Sequence, residues 1–207
     1  MAIMLSEEAI LQKFIRFCNS HLGRQAVQRE AQYIFEKFKT CQLILDVGCG
    51  IGSIEAHLKD LPLVGLDNSF LLLNEAKKKS SKNFVLGDAC RLPFREGVFE
   101  RVFFLTSLEF MESYERALRE ARRVLTPRGK ILVMLLNQQS HYFKQQISDE
   151  NSYFRTIRQT NYQPIIDFIS EQFSDVHSEY FLGMKEDTVW DTSDPNWAAL
   201  YAISGVS

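Results

Sequence analysis

The 207-residue sequence predicts an α/β fold, a doubly wound sheet of seven strands in the order 3-2-1-4-5-7-6, with the seventh antiparallel. Three observations predict it. Short apolar runs at 43–47, 63–66, 84–86, 101–105 and 131–136 are nearly continuous, as in parallel strands covered on both faces. Helical stretches at 54–59, 70–79 and 114–125 separate them, which calls for right-handed crossovers. Two late apolar runs, 176–181 and 197–203, have no helix between them, so an antiparallel arrangement at the sheet edge follows.

Two helices precede the first strand. Ile10, Leu11, Phe14, Ile15 and Cys18 form one stripe, with Ser6 as its N-cap and Glu7 and Glu8 in the first turn. Val27, Ala31, Ile34, Phe35 and Phe38 form another after Gly23. Residues 1–39 are therefore expected as a helical lid and 40–207 as the main domain, in one structural unit. The helix ending near 125 runs into Pro127-Arg128-Gly129, a turn signal before the fifth strand. Residues 138–160 read as a long polar excursion with scattered aromatics, and 164–173 as a last helix. Residues 185–196, rich in acids, connect the two late strands.

Composition narrows the functional classes. Apolar residues make up 45% and charged residues 24%, a globular balance that excludes bulk disorder. Lys and Arg number 24 against 26 Asp and Glu, a net charge of −2, which argues against a protein built to coat nucleic acid. The longest apolar run, 131–136, is far too short to span a bilayer, and no membrane association is expected. The N-terminus has no basic region, so no signal peptide is expected. Cys18, Cys41, Cys49 and Cys90 form no CxxC pair. Reduced thiols in a cytoplasmic protein are expected, without a metal.

The sharpest signal is Leu43-Ile44-Leu45-Asp46-Val47-Gly48-Cys49-Gly50-Ile51-Gly52, a strand running into three glycines. Glycine admits positive φ and lets a ligand approach the backbone, so a loop like this at a strand's carboxyl end marks a ligand site. Asp67 ends the second strand 21 residues after Asp46, where an acid accepts hydrogen bonds from ribose hydroxyls; alone it would read as a loop acid or helix cap. Asp88, after the third strand, reads either as an acceptor for an exocyclic amine such as adenine N6 or as a turn residue following Gly87. A dinucleotide fingerprint would place its third glycine at position 53, which is Ser53, and Asp46 on the strand suits a cationic ammonium better than a pyrophosphate.

Asp46-x-Gly48-x-Gly50-x-Gly52, Asp67 and Asp88 together resemble the motifs of the class I S-adenosylmethionine-dependent methyltransferases, with their Rossmann-like fold. The resemblance covers residues 40–136 and includes Leu92-Pro93-Phe94, Val98-Phe99-Glu100-Arg101-Val102 and the helix-turn segment 117–129. Residues 17–30 resemble the leader of several small-molecule members. Ile51 departs from the family's frequent Thr. The resemblance implies S-adenosyl-L-methionine as cofactor and S-adenosyl-L-homocysteine as product. It implies that Gly48, Cys49 and Gly50 pass the methionine part and ribose, and that Asp46 lies near the amino group. Asp67 would take the ribose hydroxyls, Asn68 the adenine edge, and Asp88 and Ala89 adenine N6 and N1. Leu105 and Thr106 would approach the amino group through their carbonyls.

Methyl transfer is an in-line displacement that leaves a neutral thioether, so the protein's main task is alignment. A base is needed only where the acceptor must lose a proton. Glu109, His141 and Tyr142 are the candidates, each with a plain reading as a solvated or core residue; His21, His57 and His177 have no motif around them. Residues 105–108 lack the Asn/Asp-Pro-Pro-aromatic motif of amino-group methylation in DNA and glutamine, and no Pro-Cys pair supplies a nucleophile for cytosine. Lys77, Lys78, Lys79 and Lys82 read as a solvated helix end. Phe14, Phe17, Tyr33, Phe35, Tyr142 and Phe143 line either an apolar pocket or the core. The resulting expectation is a methyltransferase for a small molecule, with no nucleic-acid partner, whose acceptor pocket is covered by residues 14–21 and 141–154. An RNA or protein acceptor, a nucleotide-binding oxidoreductase and a noncatalytic module are the alternatives.

Overall fold

A computed structural model describes residues 7–150, 152–159 and 161–207. The N-cap expected at Ser6 lies outside them. Helices α1 (Glu7–Asn19) and α2 (His21–Phe38) lead into β1 (Ile44–Val47), α3 (Ser53–His57), β2 (Leu63–Asp67), α4 (Phe70–Lys79) and β3 (Asn83–Leu86). There follow β4 (Phe99–Leu105), a 3₁₀ turn (Leu108–Phe110), α5 (Tyr114–Val124), β5 (Leu125–Leu136) and α6 (His141–Ser148). A second 3₁₀ turn (Tyr153–Thr156), α7 (Gln163–Gln172), β6 (Ser174–Lys185), β7 (Thr188–Trp190) and β8 (Ala198–Val206) complete the chain.

The strands form one sheet in the order β3-β2-β1-β4-β5-β8-β6-β7. The first five run parallel, and β8 runs antiparallel between β5 and β6. The α/β class and the crossing of the last strand between the fifth and sixth are as expected. The strand count is eight rather than seven. The extra strand, β7, turns back on β6 through the two residues Glu186 and Asp187, with Lys185 opposite Thr188. A two-residue hairpin usually announces itself by Asn-Gly or Asp-Gly. Here Glu186 adopts φ +53 without that chemistry, so the hairpin is silent in the sequence.

Three other segments differ from the expected boundaries. β5 begins at Leu125, directly after α5, and Pro127-Arg128-Gly129 forms an irregularity inside it rather than a turn before it. The pairing with β4 jumps there from Phe99–Leu125 to Arg101–Lys130, and Arg128 takes φ +63. The stretch after Asn137 is partly helical: Ser140 caps α6 by accepting from Phe143 N at 3.0 Å. Gly23 lies inside α2, not before it, because Ser20 caps that helix through Gly23 N at 2.9 Å.

Alternate residues of each central strand serve opposite cores, which is why the runs look continuous in the sequence. On one face Ile44, Phe103, Leu132 and Met134 meet Ile34 and Phe38 of α2 and Tyr142 and Phe143 of α6. On the other Leu45, Val102, Phe104 and Val133 meet Leu118, Ala121 and Val124 of α5 and Ile165 and Ile169 of α7. α2 is thus core packing, and α1 is reached from it by a sharp elbow at Ser20. At that elbow the Phe17 carbonyl accepts from Ser20 N at 3.0 Å and Ser20 Oγ at 2.7 Å. No helix among the described residues is long and apolar enough to cross a membrane.

The elbow leaves no room for a side chain at position 23: a Cβ there would lie 1.8 Å from the Phe17 carbonyl oxygen. Gly23→Ala should displace that carbonyl and lose the Ser20 cap, costing about 2–3 kcal/mol, the scale of an overpacked interior. For a chain of this size, thermal unfolding should show a drop of roughly 4–12 °C. An unchanged melting temperature would contradict the tight elbow.

Candidate active site

Parallel register brings the carboxyl ends of β1, β2, β3, β4 and β5 to one edge of the sheet, and most of the candidate residues gather there. The β1 chain turns through Gly48 (φ +85), Gly50 (φ +54) and Gly52 (φ +68). Gly48 N and Cys49 N donate to the Leu66 carbonyl at 2.7 and 3.0 Å, so the loop is pinned to β2. Gly48 needs its missing side chain, since a Cβ would lie 2.4 Å from Ser107 Cβ. Ser107 Oγ in turn donates to the Val47 carbonyl at 2.7 Å, tying the loop after β4 to the end of β1. Gly50 is different: a Cβ there would meet nothing within 4 Å, so the loop tip borders open space.

Asp67 ends β2 beside that tip. Its two oxygens accept from Gly50 N and Ser69 N, each at 2.9 Å. Ser69 caps α4 by accepting from Leu72 N at 3.4 Å, and Asn68 between them is exposed. At the end of β3, Asp88 is exposed and accepts from Cys90 N at 2.8 Å, with Ala89 buried beside it. Phe70 and Leu86, 61% and 55% exposed, present apolar side chains at the same edge. Sequence reading passes over these two because they look like core residues.

At the end of β4, Leu105 is followed by Thr106 at φ +44. A β-branched residue there is strained by about 1–3 kcal/mol. Its N–H donates to the Met134 carbonyl at 2.8 Å, which holds the turn.

Beneath the glycine loop lies a carboxylate that sequence reading misses. Glu55 of α3 is 0% exposed, Asp46 of β1 is 2% exposed, and neither Glu55 oxygen has a hydrogen-bond partner. A Cβ on Gly65 would lie 2.8 Å from Glu55 Oε1 and 2.9 Å from Cys49 Sγ, which locates acid and thiol together over β2. Burial pushes Glu55 up to about 7. Burial, then the Glu55 carboxylate, pushes Asp46 well above the usual carboxylate range. The pair relieves its repulsion by holding a proton. Burial and the three nearby acids raise the Cys49 thiol, so it stays protonated.

The base candidates separate in space. Glu109, 1% exposed, accepts from Leu136 N at 2.6 Å through Oε1, while its buried Oε2 has no partner. Burial pushes it up to about 7. Tyr142 is buried, and desolvation holds its hydroxyl protonated. His141 is exposed, packs on Trp197 at 4.5 Å between ring centroids, and is not brought beside them. Above the strand ends, α1 reaches over the glycine loop: Ser53 Oγ donates to Cys18 Sγ at 3.3 Å, and Phe14 packs on Tyr153 at 5.3 Å.

The edge therefore has features that S-adenosylmethionine calls for: open space at Gly50, the Asp67 carboxylate beside it, and the buried Asp46 Oδ1 without a partner. Among the described residues, no group of three His, Cys, Asp or Glu could hold a metal ion.

The acid pair has a measurable consequence in the protein without ligand. The Glu55 carboxyl binds its proton more tightly folded, at about 7, than at its ordinary 4.5. Between those values the folded state holds more protons than the unfolded one, so stability falls as pH rises from about 5 to 8. Thermal melts across that range should show the fall flattened in Glu55→Gln, which carries no charge to bury. An equal slope in both proteins would place Glu55 in solvent.

The chain is similar to known methyltransferases. Residues 45–133 match the family model described as a methyltransferase domain. An uncharacterized protein of Methanocaldococcus jannaschii is 30% identical over 162 residues, 76% of this chain and 68% of that protein. The sterol 4-C-methyltransferase strm-1 of Caenorhabditis elegans is 27% identical over 63% of this chain, which spans 41% of that enzyme's length. A solved structure from Thermotoga maritima, described as an S-adenosylmethionine-dependent methyltransferase and possible histamine N-methyltransferase, superposes with a TM-score of 0.80 at 21% identity, covering 96% of both chains. With the glycine loop, the acids at the ends of β1 and β2 and the sheet order, these place the chain in the class I S-adenosylmethionine-dependent methyltransferase family.

Proposed function

We propose that this methyltransferase acts on a small molecule, held between the strand ends and a roof made by α1, α6 and the 3₁₀ turn at Tyr153. The observation that carries this reading is the roof: Cys18 meets Ser53 across the glycine loop, and Phe14 and Phe110 both pack on Tyr153, at 5.3 and 6.0 Å. A covered site suits a detached acceptor better than a base or side chain of a polymer. The net charge of −2 also lacks the basic excess that binds nucleic acid. Four unpaired thiols suit a cytoplasmic setting.

In this reading Asp67 binds the ribose hydroxyls, Asn68, Asp88 and Ala89 border the adenine, and Asp46, Leu105 and Thr106 surround the amino group. Gly48, Cys49 and Gly50 pass along the methionine part. The bound cofactor supplies a methyl group on a sulfonium, which leaves as a neutral thioether. The chain contributes orientation, worth roughly 7–11 kcal/mol in aligned reactions, and a closed site that excludes water. Glu109 is the base candidate whose position and charge fit. Tyr142 keeps its proton and serves as a donor or wall, and His141 lies on the Trp197 side.

Methyl-labelled cofactor offered with a metabolite extract, total RNA and a protein extract tests this reading. Label should enter the metabolite fraction. Label confined to RNA or protein would overturn it. A variant lacking residues 1–20 should keep its cofactor affinity within about threefold and lose most transfer. A well-folded truncation with full transfer would remove α1 from the roof.

A further inference from the structure

The space above Gly65 is already filled. Gly65 lies opposite Asp46 in the parallel pairing of β1 and β2, so a side chain at 65 would stand beside that of Asp46 on one face of the sheet. A Cβ there would come within 2.8 Å of Glu55 Oε1, 2.9 Å of Cys49 Sγ and 2.9 Å of Phe84 Cδ1. The gap left by Gly65 therefore seats the Glu55 carboxyl, which extends from α3 into hydrogen-bonding reach of Asp46. Three oxygens of the pair are buried without a partner: Asp46 Oδ1 and both of Glu55. Ionised carboxylates only accept, and two acceptors bond only when a proton lies between them.

No cation takes that role. Asp67 and the Cys49 thiol are the other groups close by. Lys82, the one cation that Glu55 feels, donates to the Lys59 and Leu61 carbonyls instead. Cys18 of α1 meets Ser53 at the start of α3 and feels Lys79 of α4 and Glu30 of α2, while His57 at its end is exposed. The two acids differ in reach. Glu55 is 0% exposed and can touch no ligand, whereas Asp46 keeps 2% of its surface, two residues before Gly48. Resting on the reading in which Asp46 faces the cofactor's amino group, we infer that Glu55 is a positioning residue: seated over Gly65, it donates a shared proton to Asp46 and so presents one negative charge to the cofactor's ammonium. Both acids ionised would repel as unbonded acceptors in a dry site. Both protonated would offer the ammonium no charge. One proton between them satisfies the orphaned oxygens and leaves a single charge on the acid that a ligand can reach. Burial raises both acids in the protein without ligand, Glu55 to about 7. Below that pH the pair holds a second proton, which an arriving ammonium displaces to solvent, so affinity rises with pH up to about 7 and then levels off.

Calorimetry on the whole protein tests this with two probes, S-adenosylhomocysteine and methylthioadenosine, which shares the nucleoside and thioether but has no ammonium. From about pH 5.5 to 7.5, S-adenosylhomocysteine should bind roughly tenfold more tightly, with a proton released at the lower pH and seen as a heat that depends on the buffer. Methylthioadenosine should show neither effect. Glu55→Gln, whose amide donates to Asp46 without titrating, should match the wild type at the upper pH and lose the slope. Glu55→Leu, which leaves Asp46 without its donor, should weaken S-adenosylhomocysteine by about tenfold or more and leave methylthioadenosine within about threefold. Melting curves show whether each variant keeps its fold, and if Glu55→Leu does not, the slope in Glu55→Gln decides alone. A slope kept in Glu55→Gln, or a folded Glu55→Leu that binds both probes normally or weakens both equally, would overturn the inference. Asp46→Asn separates it from the reading beneath it. If Asp46→Asn weakens S-adenosylhomocysteine while the Glu55 variants do not, the placement of Asp46 stands and the role of Glu55 fails. If Asp46→Asn binds as the wild type does, both fail.

Discussion

The carboxylate of Asp67 is the joint on which the site depends. Its oxygens accept from Gly50 N in the loop after β1 and from Ser69 N at the start of α4, so one side chain fixes two loops that belong to different crossovers. The Leu66 carbonyl, taking Gly48 N and Cys49 N, repeats the link one residue earlier. With β1 in register beside β2 and β4, these bonds leave the loop tip little freedom except to face the space at Gly50. Ser107, bonded to the Val47 carbonyl, closes the arrangement from the β4 side. The site is thus positioned by backbone hydrogen bonds of the sheet edge, and the apolar cores on both faces make that edge rigid.

The electrostatics run against stability. Asp46, Glu55 and Glu109 are buried without ion-pair partners, and burial raises all three. Exposed pairs such as Arg29–Asp191 at 2.8 Å and Lys37–Glu179 at 2.9 Å offset little of that, since surface ion pairs contribute about 0–1 kcal/mol. Buried acids with raised pKa values cluster at functional sites. One pair, Asp46 and Glu55, lies under the glycine loop.

Much of this was legible in the sequence because the physics is local. Five apolar runs, with helices in three of the four gaps, point to five parallel strands, and two late runs without a helix point to the antiparallel return of β8. The glycine spacing and the acids at strand ends point to the edge where the loops meet. What stayed hidden depends on tertiary context. β7 has three residues and no turn signal. Glu55 sits on a five-residue helix, too short for a periodic pattern to mark its inward face. His141 looked eligible by its place after β5, and only the packing on Trp197 shows where its ring lies.

In the proposed function Asp67 holds both the loop and the ribose. Calorimetric titration of S-adenosylhomocysteine into Asp67→Ala, beside its melting curve, measures this directly. Each hydrogen bond to a charged group contributes about 1.5–3 kcal/mol, so the loss of two should weaken binding by well over tenfold in a protein that still unfolds cooperatively. A folded variant with unchanged affinity would mean that the role of Asp67 is structural and that the ribose lies elsewhere.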